Sequence, residues 1–186
     1  MKGKFAADFK HIVLSSQTQN HILAFKEKKF IKAGNFIEPM APDMLTLSML
    51  AGDRSGLKDP HSILLSESLA KAIFGNADAL GQTIRMDDSL SIRVTGIFKD
   101  FSYNSTFRDI TFLSPWDLYA STDPETKQMR HEWQDNNWQV FIQLGDNADM
   151  EKVSAKIRTI KSDYDKSIKS DDPLKPTLFL HPMSRC

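Results

Sequence analysis

The stretch DPHSILLSESLAKAIFGNADALGQTIRMDDSLSIRVTGIFKD, residues 59–100, has the most regular pattern in the chain. The apolar run Ile63–Leu65 predicts a strand, and Ser66 can cap the following helix by accepting a hydrogen bond from a free backbone amide. Four apolar residues share one face of that helix: Leu69, Ala70, Ile73 and Phe74. The pattern therefore predicts a strand that leads directly into an amphipathic helix.

Glycine and turn residues end this helix and introduce a β-hairpin. Gly75 follows Phe74 at the position where a helix needs a left-handed residue to stop. Two alternating runs come next, Gln82–Met86 and Leu90–Phe98. Asp87, Asp88 and Ser89 lie between the two runs and form the predicted hairpin connection.

Upstream of this stretch the sequence predicts three short strands. They cover Phe9–Leu14, Ile22–Phe25 and Phe30–Phe36, and polar residues separate them. The last two strands are close enough in sequence to form a hairpin.

A short helix is predicted over Asp43–Leu50, because its apolar residues are spaced close to a helical repeat. Met40, Met44 and Met49 lie on or beside it, and thioethers bind soft metals or apolar ligands. No nearby Cys or His pattern completes a soft-metal shell. We therefore interpret the three methionines as core residues.

Downstream of residue 100 the pattern alternates again between strand and helix. A strand is predicted over Thr106–Leu113, and a helix over Trp116–Ala120 with Ser114 as its cap and Pro115 at its first position. Residues 121–137 are polar and form the least regular part of the chain.

The C-terminal quarter predicts a strand, a long helix and a closing strand. The first strand covers Trp138–Leu144, and the last covers Thr177–Leu180. Asn147 or Asp149 caps the helix, whose apolar residues advance by three or four: Met150, Val153, Ile157, Ile160, Tyr164 and Ile168. Strand–helix–strand groupings at both ends, with hairpins between them, predict an α+β fold with mixed sheets and flanking helices.

Composition describes an ordinary globular domain. Lys plus Arg and Asp plus Glu both number 24, so net charge gives no reason to expect nucleic acid or an anionic membrane surface as partner. The single cysteine, Cys186, excludes an intrachain disulfide. No run approaches the roughly 18 to 20 apolar residues that span a bilayer, so the sequence predicts a soluble domain.

Local motifs of several enzyme classes are missing. The sequence contains no G-x-x-x-x-G-K-(S/T), G-x-G-x-x-G, H-E-x-x-H or G-x-S-x-G. No two of the five histidines stand two or four residues apart: His11, His21, His61, His131 and His181. The sequence therefore predicts no catalytic residue, no cofactor and no metal site.

Two other chemical candidates have simpler interpretations. The pair His131-Glu132 lies in a polar, irregular segment, where solvated side chains are expected. The acidic pairs Asp87-Asp88 and Asp171-Asp172 lie in turns, where Asp bonds to nearby backbone amides.

Two tryptophans are candidates for a contact with a partner, because tryptophan is enriched in buried anchors at interfaces. Trp138 begins a predicted strand and is expected in the core. Trp133 lies in the irregular segment and is the candidate for an exposed partner contact.

The stretch 59–100 resembles the extracytoplasmic core domain of MacB/FtsX-like ABC transporter permeases. That family has a strand reading S-apolar-apolar-L-(S/T)-E, then A-K-x-apolar-F-G, G-x-T-apolar and V-T-G-apolar-x-K-D. Here the matching residues are Ser62–Glu67, Ala70-Lys71, Phe74-Gly75, Gly81, Thr83-Ile84 and Val94–Asp100, and Gly52-Asp53 fits a further family feature upstream. The order and spacing of the pieces, more than any single piece, make the resemblance specific.

The resemblance implies a non-enzymatic domain that lies between two transmembrane helices of a longer permease, at the periplasmic face of the bacterial inner membrane. It implies two lobes: a terminal lobe of about residues 1–60 plus 138–186, and a middle lobe of about 61–137. A cytoplasmic ABC ATPase subunit would move the transmembrane helices. This domain would then couple that movement to export or to a periplasmic adaptor or lipoprotein.

Two alternatives belong to other classes of protein. A freestanding periplasmic binding or sensor domain would hold a small ligand in a pocket between two α/β lobes. An enzyme without a local motif is the other. Transmembrane helices encoded on both sides of residues 1–186 favour the permease, whereas a signal peptide and a stop codon favour the sensor.

Overall fold

The computed structural model describes residues 7–122, 138–165 and 175–183. Strands in these ranges are β1 Phe9–Ser15, β2 Gln19–Phe25, β3 Lys28–Ile37, β4 Met49–Gly52, β5 Ser62–Ser66, β6 Thr83–Met86, β7 Leu90–Phe98, β8 Phe112–Pro115 and β9 Gln139–Leu144. Helices are α1 Ala41–Met44, α2 Glu67–Phe74, α3 Trp116–Thr122, α4 Met150–Ile157 and α5 Ile160–Tyr164, with a 3₁₀ helix at Arg54–Lys58.

All nine strands belong to one mixed sheet, which confirms the predicted α+β class. The strand order is β2-β6-β7-β5-β8-β3-β1-β9, and β4 pairs with β7. Strand β2 pairs with β3 as well as with β6, so hydrogen bonding forms a closed circuit of six strands. Two pairings are parallel, β3 with β8 and β5 with β7. The division into a terminal and a middle lobe stays a prediction.

The stretch 59–100 folds as predicted. The Ser66 hydroxyl accepts a hydrogen bond from the Leu69 amide at 3.3 Å and caps α2. Gly75 ends the helix with a φ of +65°. The hairpin β6–β7 follows, and both Asp87 and Asp88 in its turn have positive φ.

The central strand β5 contributes side chains to both faces of the sheet because successive residues alternate. Ile63 and Leu65 pack in the cluster that contains the buried face of α2. Leu64 packs in a second cluster on the other face of the sheet, with Leu57 of the 3₁₀ helix. Every residue of β5 is buried, as expected for a strand covered on both faces.

The three N-terminal strands and the β2–β3 hairpin are confirmed, but the helix predicted over Asp43–Leu50 is wrong. Helix α1 ends at Met44, and Thr46 has a φ of +49°, which a helix does not allow. Met49–Gly52 then pairs with β7 as strand β4. Met44 and Met49 pack against the core, as predicted, but the same prediction is wrong for Met40, which is exposed.

Two boundaries after residue 100 also differ from prediction. Strand β8 is Phe112–Pro115, because the residues before Ile110 form hydrogen-bonded turns. Pro115 is therefore the last strand residue, not the first helical one, although α3 begins directly after it.

The long predicted helix is divided in two, and no strand forms over Thr177–Leu180. Helix α4 ends at Ile157, and the Arg158 carbonyl accepts a hydrogen bond from Leu178. Asp149, one of the two predicted caps, accepts bonds from the amides of residues 151 and 152. Ile168 lies outside the described residues.

Candidate functional site

The first strand and residues 175–183 meet in one hydrophobic cluster, which we name the terminal cluster. Its buried members are Phe9 of β1, Val153 and Ile157 of α4, and Ile160 of α5. Ile142 and Leu144 of β9 pack against it, together with Leu178 and Leu180. The terminal cluster thus joins two parts of the chain that are far apart in sequence.

Polar contacts fix both segments to helix α4 and to Arg158, the residue that follows it. Lys156 Nζ lies 2.8 Å and 2.9 Å from the two carboxylate oxygens of Asp8. The Leu178 amide donates to the Arg158 carbonyl at 3.1 Å, and the Leu180 amide donates to Ser154 Oγ at 3.0 Å. Helix α4 therefore holds both segments at the same place.

The first turn of α4 is itself well capped. Asp149 accepts hydrogen bonds from the amides of Lys152 and Glu151, and these bonds lower the pKa of its carboxyl group below the usual value. The cap anchors the helix that carries both attachments.

A second candidate region contains three packed aromatic side chains, which we name the aromatic cluster. Trp116 and Trp138 meet edge to face with ring centroids 4.8 Å apart, and Tyr119 lies 5.8 Å and 5.7 Å from them. Trp116 is fully buried and Trp138 is half-buried, so the expectation that Trp138 belongs to the core is largely met. The indole nitrogens of both tryptophans are buried, with no hydrogen-bond partner in the described part of the chain.

The predicted partner contact, Trp133, lies outside the described residues, as do His131 and the Asp171-Asp172 pair. Trp138 follows the segment that contains Trp133, and Trp116 begins the helix before it. Sequence reasoning did not select Trp116, although its position directly after a buried strand indicated that it packs in the core.

A third region is the junction between β2 and β6, which closes the six-stranded circuit; we name it the seam. Its ladder consists of two residue pairs, Leu23 with Met86 and Ala24 with Arg85. Asp87 extends the connection, because its carboxylate lies 2.6 Å from His21 Nδ1 and accepts the Ile22 amide at 2.9 Å. Asp87, one of the acidic pair predicted to lie in a turn, thus also holds β2 and β6 together.

No group of three or more His, Cys, Asp or Glu side chains that could hold a metal ion occurs within residues 7–122, 138–165 and 175–183. Over the same ranges, no helix has the length and hydropathy needed to cross a membrane. His21 is bonded to Asp87, and the structure brings together no catalytic constellation among the described residues.

Residues 7–160 match the family described as MacB-like periplasmic core domain. The chain belongs to this family. The MacB-like core domain is an extracytoplasmic domain of ABC-type transporter permeases and lies at the periplasmic face of the membrane, as the sequence motifs implied. No curated protein sequence matches the chain.

Solved structures show the same fold. A domain of a protein described as a permease, from Porphyromonas gingivalis, has a TM-score of 0.65 at 23% identity and covers 84% of this chain and 70% of its own. The periplasmic region of MacB from Actinobacillus actinomycetemcomitans has a TM-score of 0.63 at 16% identity, with coverages of 86% and 71%. The extracellular domain of the noncanonic ABC-type transporter YknZ from Gram-positive bacteria has a TM-score of 0.65 at 14% identity, with coverages of 97% and 86%.

Proposed function

We propose that this MacB-like core domain couples ATP-driven movement of transmembrane helices to export or to a periplasmic partner, and that it catalyses no reaction itself. ATP would be hydrolysed by a cytoplasmic ABC ATPase subunit. The partner outside the membrane would be an adaptor or a lipoprotein. Family membership supports a place in an ABC transporter permease, and the terminal cluster supports the proposed coupling of helix movement.

The terminal cluster is the observation that carries this proposal. A coupling domain needs two attachments to moving helices at one end of a stiff body. Asp8 and Leu180 both bond to helix α4, so the two chain segments that reach this cluster are held at the same place. We infer that this cluster faces the membrane and receives the movement.

Strand β1 provides a route from this cluster into the sheet. It begins at Phe9 inside the cluster and pairs with β9 along most of its length, then with β3 at Ser15. A displacement of Phe9 therefore acts on a hydrogen-bonded ladder, which deforms less than a loop does. The sheet can pass such a displacement to the rest of the domain.

Neighbouring side chains in residues 178–180 point in alternate directions, which allows a test of the terminal cluster with a matched control. Leu178 and Leu180 pack against the terminal cluster, whereas Phe179 between them is 71% exposed. In the complete permease with its ATPase, we expect ATP to change hydrogen exchange in β1 and β9. The double substitution Leu178→Ala and Leu180→Ala should abolish that change and leave the ATPase rate within about twofold, since the variant removes packing and no catalytic group.

Phe179→Ala is the control and should behave as the unaltered protein does. An ATP-dependent change that persists in the double variant would exclude the terminal cluster as the route. Calorimetry of the 186-residue chain against small metabolites tests the sensor alternative, and a specific ligand of micromolar affinity would contradict a purely mechanical role.

A further inference from the structure

Strands β2 and β6 separate beyond the seam and leave an open groove between them. Their ladder stops at the pair Ala24–Arg85, because Lys26 has a φ of +53° and turns the chain into β3. The resulting cavity has a volume of about 230 Å³. We name it the seam groove; Phe25, Lys26, Thr83, Arg85 and Ser91 line it.

The backbone of Thr83 faces this groove. Residues of an antiparallel strand direct their peptide groups alternately to the two sides. Arg85 pairs with Ala24 and the Asp87 amide donates to the Ile22 carbonyl, so the odd-numbered residues face β2. The N–H and C=O of Thr83 therefore point to the side from which β2 has turned away.

The surroundings of the groove carry an excess of positive charge. In the described part of the chain, Lys26 and Lys28 are exposed and have no ion-pair partner. Nearby carboxylates are already engaged, since Asp88 bonds to Lys29 and Asp87 to His21. The negative charge of Glu27 in the turn balances the positive charge of one of these lysines.

Arg85 adds a further cation on the other side of the groove. Its side chain is 54% exposed and lies 4.0 Å from Asp88, too far for a strong pair. Lys26 Nζ lies 5.3 Å from the centre of the Phe25 ring, a cation–π contact that holds the ammonium group beside the groove. Two cations thus flank the strand edge at Thr83, whose N–H and C=O have no backbone partner on that side within the described residues.

The size of the groove decides the class of ligand. A volume of about 230 Å³ is below the roughly 300 to 1,000 Å³ of sites that enclose small molecules, but it holds one amino-acid side chain. A strand edge beside it favours an extended peptide, which bonds through its backbone. The two cations favour a carboxylate on that peptide.

We propose that the seam groove binds an extended acidic segment of a partner protein, which adds a strand beside Thr83 and places a carboxylate between Lys26 and Arg85. The pair Ser15–Ile37 joins β1 to β3. From this pair, β1 leads back to the terminal cluster, and β3 leads in the opposite direction to the tip of the β2–β3 hairpin beside the seam groove. The path that joins them along β1 and β3 is roughly 50 Å long. The choice of a protein over a lipid headgroup therefore rests on the proposed function, in which the terminal cluster faces the membrane.

Two synthetic peptides test the proposal on the 186-residue chain. One is an acetylated, fluorescent six-residue peptide in which Val alternates with Glu, and the other has Lys in place of Glu. We expect fluorescence anisotropy to show at least about tenfold tighter binding of the acidic peptide, because only that peptide bonds to Lys26 and Arg85. Amide exchange at Thr83 should slow when the acidic peptide binds.

Charge reversal at the groove has a matched control elsewhere. Lys26→Glu with Arg85→Glu should weaken binding of the acidic peptide at least about tenfold. Lys10→Glu with Lys99→Glu makes the same change in net charge at two exposed sites and should leave binding within about twofold. If the reversal lowers the thermal midpoint, Lys26→Gln with Arg85→Gln replaces it.

Three outcomes would overturn the proposal. They are equal binding of the two peptides, equal loss in the two double variants, and binding of phosphatidylglycerol vesicles that depends on Lys26 while the acidic peptide does not bind. None of these measurements involves ATP, so a failure here is distinct from a failure of the coupling experiment.

Discussion

Gly34 of β3 shows how one residue permits the packing between neighbouring strands. It pairs with Phe112 of β8, and a Cβ atom at Gly34 would overlap the Phe112 ring. Phe112 is fully buried in the main core, so its ring has nowhere to move. The absence of a side chain at Gly34 therefore decides how closely β3 and β8 approach.

We expect Gly34→Ala to lower the free energy of unfolding by about 1–3 kcal/mol, the usual cost of overpacking a core. Gly145→Ala is the matched control, because its Cβ would meet the Ala7 carbonyl oxygen at 3.6 Å, an ordinary contact. Urea unfolding monitored by circular dichroism measures both. Equal effects of the two substitutions would show that the Phe112 ring can give way.

Among single residues, the sequence identified those whose role depends on near neighbours. Ser66 caps α2 by accepting the amide of Leu69, three residues away, and Gly75 ends the same helix, so both roles could be predicted. His21 could not, because its partner Asp87 lies on a strand connection far along the chain. Trp116 was missed for a similar reason, since its contacts with Trp138 depend on the sheet.

At the scale of elements, the seam between β2 and β6 is a short connection in the six-stranded circuit, with two residue pairs, as many as β5 and β8 share. Asp87 supports it with bonds to His21 and Ile22, whereas its neighbour Asp88 bonds to Lys29 of β3. Both aspartates have positive φ, so a substitution at either position causes the same kind of backbone strain. The pair offers a comparison of two adjacent turn residues.

Asp87→Ala should speed hydrogen exchange at the Ala24 and Arg85 amides by about tenfold, because it removes hydrogen bonds worth roughly 0.5–1.5 kcal/mol each from the seam. Asp88→Ala should leave these two amides within about threefold of the unaltered chain. Exchange followed by NMR distinguishes the two variants. Similar acceleration in both would indicate that turn strain, and not the Asp87 bonds, controls the seam.

Elements were predicted correctly where periodicity alone distinguishes them. Residues 59–100 met this condition, but Met49–Gly52 did not, because its strand conformation depends on the edge that β7 offers. Thr177–Leu180 alternates like a strand, yet it packs one face against α4 and joins no ladder. The terminal cluster could not be predicted, since it depends on where this segment lies.

At the scale of the whole molecule, several turn carboxylates make stability depend on pH. The amide of His61 and then the guanidinium of Arg93 lower the pKa of Asp59 below its usual value of 3.8. Bonds from Ser55 lower the pKa of Asp53, and Lys29 lowers that of Asp88. Asp53 and Asp88 are exposed and Asp59 is partly exposed, so solvent limits the contribution of each.

We expect the free energy of unfolding to be level above about pH 5 and to fall as acidification protonates these carboxylates. A carboxyl group with a lowered pKa in the folded state stabilises that state above its unfolded pKa, and the contribution is lost as pH falls through the folded pKa. Asp59→Asn should make the fall between pH 5 and pH 2 shallower. Urea unfolding at each pH measures it, and an unchanged profile would show that Asp59 contributes nothing.

The order of pairing in the sheet also has a consequence for biosynthesis. Strand β3 pairs with β8, and β1 pairs with β9, so each of these strands obtains one neighbour from a much later part of the chain. Contacts between residues so distant in sequence slow folding, because the chain must close long loops before it gains any burial. Until β9 is synthesised, the apolar strand β1 has an open edge that can pair with another chain, so the nascent domain needs protection from aggregation during that interval.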